Sequence, residues 1–308
     1  MEKNIPKEVC ESEDINYCLY VDTDSTYIHF YPYLKHINPD FDSLPENKKE
    51  DLLEQEALKY QDLINEHYDT LAKDIFNIQE EHHFEMKTEA VISSAYFRAT
   101  RRYAQWIKKK EGVPTDELDV KGLEYRKTNF PPLFGDFVEK ILEQILKGQN
   151  KDVIDKQLLE FKQRLLDGEF KIEDISNPTS VKTFDNYLES KPKGGEIFSK
   201  TKIRAPAAVK ASYAYNDLLR YWKVEKRYPI ITQSQKIKWI YLSDNPYKLE
   251  AIAFIEGLVP PQIREFIENY VDYGQVFDKI ILNKVKGLYD DLGWSLVLNP
   301  FVNDFFEF

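Results

Sequence analysis

The sequence predicts an α+β chain in which an antiparallel first part is followed by a mainly helical second part. Three observations carry that expectation. A β-prone run from Tyr17 to Phe30 is broken only by Asp22-Thr23-Asp24-Ser25, strand-like residues return between Phe84 and Ile107, and beyond Pro131-Pro132 the apolar residues fall three or four apart. At 308 residues the chain is long enough for two cores, taking roughly 150 residues per domain.

Taken in order, the Tyr17–Phe30 run reads as two strands joined at the acids, with the carboxylates at the tip of a tight hairpin. Ser43 and Glu46 then have the spacing of a capping box before a long amphipathic helix, whose apolar positions are Leu53, Ala57, Tyr60, Ile64, Tyr68, Leu71 and Ile75. "FEMKTEAVISSAYFRATRRYAQWI", from Phe84, reads as two or three strands ending in an acidic linker around Pro114 to Asp119. Helices are expected at Asp136–Leu146 and Val153–Leu166. Pro131-Pro132 is the expected domain boundary. Loop signals precede a helix near Ala207–Leu219, "KIKWIYLS" alternates as a half-exposed strand would, and helical periodicity returns at Pro260–Tyr270 and from Tyr273 to about Val285. No internal repeat is visible.

Composition narrows the classes. With 42% apolar and 14% aromatic residues the chain has ample material for packed cores. Cys10 and Cys18 are too few for a disulfide framework and have no metal-ligand spacing, which fits a reducing cytoplasm. No apolar run approaches the roughly 18 residues of a membrane span, and the first residues lack the apolar core of a signal peptide. A soluble, cytoplasmic protein is expected. The net charge of −11 argues weakly against a polyanionic partner, but its distribution is uneven. Residues 98–127 hold nine Lys/Arg against five Asp/Glu and residues 201–240 nine against two, whereas residues 241–308 hold five against eleven. The basic stretches fit faces aimed at a polyanion, and they fit solvated helix faces equally well.

The acidic pair has three readings on its own residues. A β-turn uses Asp and Ser to bond its own backbone. A strand followed by Asp22-x-Asp24-x-Thr26 also matches the first motif of haloacid-dehalogenase-type phosphatases. Finally, closely spaced carboxylates hold a divalent cation for phosphoryl or nucleotidyl transfer, since Mg²⁺ takes hard oxygen ligands.

The flanking residues favour the third. "YVDTDS" resembles the YGDTDS motif of family B DNA polymerases, and further landmarks of that family follow in order. "FRATRRYAQWI" resembles the basic-basic-Tyr strand that lines the primer terminus, and "DVKGLEYRKTNFPPL" the segment leading from palm to thumb. "RAPAAVKASYAYNDLL" and "KIKWIYLSDNPY" followed by "AIAF" resemble thumb blocks, and the terminal "NDFFEF" resembles the clamp-binding tail of replicative polymerases of large tailed bacteriophages. The resemblance spans essentially the whole chain.

It implies an incomplete polymerase palm with a long helix over residues 1–130, a mainly helical thumb with a small β element over 131–298, and a clamp-binding tail over 299–308. Asp24 is the implied catalytic metal ligand, with Asp22 as supporter or second ligand of two Mg²⁺ ions, the arrangement that stabilises both oxygens of an in-line displacement. Val21 replaces the family's glycine, and Thr100 stands where another cation is common. Arg101, Arg102 and Tyr103 map to the primer grip, although a surface strand with Tyr103 in the core reads as well from the residues alone. Lys121 and Arg126 are placed for phosphates of the nascent duplex. Lys210, Tyr213 and Asn216 are thumb candidates, and Phe305, Phe306 and Phe308 the hydrophobic anchors for a sliding clamp. His82 and His83 read as a solvated turn.

The family also needs an earlier palm aspartate, a nucleotide-gripping fingers helix and usually an exonuclease, none of which is in this sequence, where Asp22 stands 21 residues after the initiator Met. The resemblance therefore implies the C-terminal part of a split polymerase, or a fragment of a longer one, that acts with an N-terminal polypeptide, primer-template DNA, dNTP and a sliding clamp in a phage-infected cell. An inactive DNA- or clamp-binding accessory protein is the alternative.

Overall fold

The computed structural model describes residues 17–22, 24–78 and 80–296, which form two compact units meeting at Gly122/Leu123. The class is α+β, and every strand pairing is antiparallel. The tail residues 299–308, with Phe305, Phe306 and Phe308, lie outside the described residues.

In the first unit, β1 (Cys18–Val21) and β2 (Thr26–Ile28) form the expected hairpin, with Tyr20 opposite Tyr27 and Val21 opposite Thr26. Helix α1 (Tyr31–Ile37) follows, with Pro32 in its first turn, where a missing N–H is harmless. The 29-residue α2 (Glu46–Asp74) spans about 43 Å at 1.5 Å per residue. Its capping differs from the sequence expectation. Ser43 ends a short 3₁₀ turn and its hydroxyl donates to the Asp40 carbonyl, so Pro45 becomes the N-cap. Phe30, Leu34, Phe41 and Tyr60 build a small core on one flank of α2, joined by half-buried Leu53 and Ala57.

Farther along, side chains of α2 capture the extended chain that enters the sheet. Asn65 accepts from the Met86 N–H at 2.7 Å and donates to its carbonyl, while Gln61 accepts from the Thr88 N–H at 2.7 Å. The sheet is a meander of β3 (Ala90–Ala99), β4 (Arg102–Lys110) and β5 (Val113–Lys121). The segment expected as an acidic linker is thus an edge strand. Its acids give it a place. Asp116 accepts from Lys108 and the Trp106 indole, Glu117 faces Lys110, and Asp119 accepts from Gln105. Pro114 sits near the strand's start, where a missing donor costs the ladder least.

The second unit begins before the Pro-Pro pair. Buried Leu123 and Tyr125 and a 3₁₀ turn at Glu124–Arg126 lead into α3 (Pro132–Leu146), and Gly135 packs so closely that an added Cβ would lie 2.9 Å from the Tyr125 carbonyl oxygen. Helix α4 (Lys151–Leu166) is capped by Asn150, whose side chain accepts from the Val153 N–H. Phe161 of α4 stacks on Phe137 of α3 with ring centroids 4.0 Å apart, and Phe134 meets it edge-on. After the single turn α5 (Ile172–Ile175), β6 (Asn177–Ser180) joins β9 (Lys236–Tyr241) and β10 (Ala251–Phe254) in the order β10-β9-β6. Between them, β7 (Leu188–Ser190) and β8 (Lys200–Thr201) make a separate ribbon, and α6 (Ala207–Tyr221) lies against β9 and β10. Helix α7 (Pro261–Tyr270) precedes a last helical run made of α8 (Tyr273–Val276), a π-helical stretch Phe277–Leu282 and α9 (Asn283–Asp291). Among the described residues no helix is long and apolar enough to cross a membrane.

Candidate functional site

The acidic hairpin and the Arg-Arg-Tyr strand are 79 residues apart in sequence and adjacent in space. The turn from Asp22 to Ser25 is closed by the Asp22 N–H donating to the Ser25 carbonyl at 2.9 Å. Arg101 reaches across to it, with Nε 3.0 Å from Asp22 Oδ2 and Nη2 3.4 Å from Oδ1. This is the fork geometry in which a guanidinium meets both carboxylate oxygens. The same residue's N–H donates to the Tyr20 phenol oxygen at 3.0 Å. The Asp22 contact raises the Arg101 guanidinium's already high pKa, and the charge of Asp24 adds to it.

Arg101 occupies the turn between β3 and β4 rather than a strand, and its φ of +59° is the left-handed region that non-glycine residues rarely adopt. Gly122, in the "VKGLE" segment, lies beside that turn. A Cβ there would sit 2.1 Å from the Arg101 carbonyl oxygen, so only a glycine lets the two backbones approach.

Beneath the acids, Tyr20 and Tyr27 of the hairpin pack on Phe97 and Tyr103 of the sheet, with centroids between 5.2 and 5.9 Å apart. Burial, then hydrogen bonding with Tyr103, pushes the Tyr27 phenol well above its ordinary pKa. Tyr103 therefore belongs to the packing that holds the hairpin on the sheet. Among the described residues the hairpin shares no backbone hydrogen bond with that sheet. The other face of β1 is bare, with Leu19 48% and Val21 59% exposed.

The predicted site residues thus divide. Asp22, Asp24, Arg101 and Tyr103 come together, Arg102 follows Arg101 at the start of β4 and pairs with Ala99, and Lys121 pairs with Tyr103 across the β4–β5 ladder. Asp24 is exposed and makes no hydrogen bond or ion pair among the described residues. Arg102 is exposed and likewise has no ion pair, whereas Lys121 lies 3.5 Å from Asp119. Much of the basic stretch around them is neutralised internally. Lys108 and Lys110 meet acids of β5, and Lys109 donates to both Asp51 and Glu54 of α2 at 2.7 Å.

The remaining candidates belong to the second unit. Arg126 donates to Glu139 at 2.8 Å, and Lys210 lies 3.7 Å from Glu250. Asn216 does not face solvent, which corrects its expected role in binding DNA. It is 2% exposed, its amide donating to the Ile231 carbonyl and its oxygen accepting from the Ile231 N–H. Its neighbours Tyr213 and Tyr215 are buried too, and burial pushes both phenols up to about 12. The aromatic and amide residues of α6 are therefore scaffold. His82 accepts from the Phe84 N–H and meets Asp69 at 2.8 Å, its side chain only 14% exposed in a stretch without a turn, rather than in the solvated turn expected.

Asp22 and Asp24 are hard oxygen donors of the type Mg²⁺ selects. Among the described residues no three His, Cys, Asp or Glu side chains converge as a metal-holding group, so two carboxylates are all that the hairpin brings. When bound, such an ion polarises phosphate oxygens. Sequence reasoning missed Tyr27, Phe97 and the backbone role of Gly122. Their signals were the alternation that puts Tyr20 and Tyr27 on one face, and the glycine next to a lysine. No protein-family model matches the chain, and no curated protein matches it.

Proposed function

We propose that this chain supplies the acidic hairpin, primer-side cations and thumb of a family B DNA-directed DNA polymerase, and that it acts with another polypeptide segment carrying the remaining palm aspartate and the fingers. One observation supports this above others. The two segments whose sequences separately resemble the metal-binding and primer-gripping motifs of one palm lie side by side, joined by the Arg101–Asp22 fork. In this reading Asp24 and Asp22 bind the divalent ions, Arg102 and Lys121 contact phosphates of the primer-template, and the bare Leu19 and Val21 face receives the complementing segment.

Primer extension by the chain together with a candidate complement tests the reading. Extension should appear only when both are present, and Asp24→Ala should abolish it while leaving duplex binding intact. Extension by the chain alone, or an Asp24→Ala complex with full activity, would refute it.

A second reading, an accessory protein that binds DNA without catalysis, draws on the engagement of Asp22 by Arg101 and of Lys108, Lys109, Lys110 and Arg126 by acids. Duplex binding with no extension under any complementation would favour it. The DxDxT phosphatase reading would need Asp22 free as a nucleophile, and here its carboxylate is already forked by a guanidinium.

A further inference from the structure

We propose that the turn at Lys202–Ala205 is a duplex-binding wedge, in which Ile203 enters the minor groove of double-stranded nucleic acid while Lys202 and Arg204 meet the phosphates on either side. The inference rests on reading the chain as a nucleic-acid binder, and it assigns that role to a turn whose Lys202 and Ile203 no motif marked.

Ile203 is 92% exposed, more than any other large apolar side chain among the described residues. It stands at the corner of a tight turn, where Gly, Pro, Asn, Asp and Ser are the usual occupants and a β-branched residue has no conformational reason to be. The turn is pinned on every side. The Lys202 N–H donates to the Tyr187 carbonyl at 2.9 Å, the Ala205 N–H donates to the Lys202 carbonyl at 2.9 Å, and Ala205 is buried where the chain enters α6. One strand back, the Ser199 N–H donates at 2.7 Å to the fully buried carboxylate of Asp217, which Arg220 also holds. The apolar tip is therefore presented on a fixed support.

Its surroundings are cationic in an acidic chain. Residues 191–204 contain Lys191, Lys193, Lys200, Lys202 and Arg204 against the single acid Glu196. Glu196 is occupied by Lys200 at 2.9 Å, whereas Lys191, Lys202 and Arg204 make no ion pair among the described residues. An isolated exposed apolar residue is ordinary. One flanked on both sides by unpaired cations on a rigid turn fits a groove whose rims are two rows of anions and whose stacked bases admit an apolar wedge. The minor groove of a duplex is such a surface: its floor carries polar base edges, and apolar side chains enter it by wedging between base steps.

The test is fluorescence anisotropy of the full chain with a labelled duplex at several salt concentrations, on variants whose surface positions leave the fold intact. Lys202→Ala and Arg204→Ala should each weaken binding and reduce the log–log salt slope by about one. Ile203→Ser should weaken binding roughly tenfold at every salt concentration and leave the slope unchanged, since no charge is removed. Parental affinity in Ile203→Ser would overturn the proposal. So would Ile203-dependent sedimentation with phosphatidylserine vesicles alongside duplex binding indifferent to Ile203. If the loop variants bind normally while Arg102→Ala weakens binding, the wedge fails and the polymerase reading stands. If the loop effects appear but no complement ever restores extension, the wedge stands without the polymerase.

Discussion

Arg101 holds Asp22 with a two-pronged fork, Nε and Nη2 each facing one carboxylate oxygen, and so occupies one of the two acidic side chains at the hairpin tip. The same guanidinium is the one that, under the proposed polymerase reading, would lie against DNA.

Removing that cation should release the carboxylate. Arg101→Ala is expected to raise the chain's affinity for Mn²⁺ several-fold, because a guanidinium no longer competes for the oxygens. Adding Asp24→Asn should erase the gain. Titration followed by electron paramagnetic resonance reads free Mn²⁺ directly, and an unchanged or weaker affinity in Arg101→Ala would show that the fork does not compete with metal.

Gly122→Ala should be among the most damaging small substitutions in the first unit. The new methyl would meet the Arg101 carbonyl oxygen at 2.1 Å, and φ is +63°. Overpacking against backbone together with a left-handed alanine costs about 2–4 kcal/mol. Gly148→Ala is the control, since its φ is +79° but nothing lies within 4 Å, and it should cost only about 1 kcal/mol. Equal urea midpoints for the two variants would contradict the close-approach argument.

Asn216→Ala should destabilise the second unit by about 2–4 kcal/mol, because it strands the N–H and carbonyl of buried Ile231. Duplex affinity measured under folding conditions should keep its parental salt slope. A reduced slope would return Asn216 to the DNA-contacting set.

The bridge from α2 to β4 predicts a pH dependence. The Lys109 ammonium holds the Asp51 carboxylate below its ordinary 3.8, and the carboxylates in turn raise Lys109 above 10.5. Asp51's contribution is therefore whole above pH 3.8 and drains away as the pH falls through its lowered value, while Lys109's is whole below pH 10.5 and drains away as the pH rises through its raised value. Lys109→Met should lower the melting temperature at pH 7 and flatten its decline in acid. Parallel acid limbs in parent and variant would rule the bridge out as their cause.

Sequence alone carried much of this. The hairpin around Asp22 and Asp24 was legible because a β-prone run is interrupted by four turn-forming residues, and α2, α3, α4 and α6 because their apolar residues keep helical spacing. Strand β5 was not, since an edge strand needs few apolar residues and "PTDELD" offers acids that make sense only opposite the lysines of β4. The same blindness to pairing left residues 98–127 open between a polyanion-facing surface and a solvated face. Asn216 looked like a contact residue because a sequence displays an amide but not the backbone it clamps. Ile203 left no pattern, for a lone apolar residue becomes informative only once its exposure is known.

The hairpin's attachment has one more consequence. A strand docked by a hydrogen-bond ladder can sit only in discrete registers, whereas one seated on rings can tilt by degrees. Here the rings act together with Arg101, whose N–H meets Tyr20 and whose guanidinium meets Asp22, so ring volume and one cation jointly set where the acidic tip points. Trimming Phe97 would shift that seat without touching a single charge.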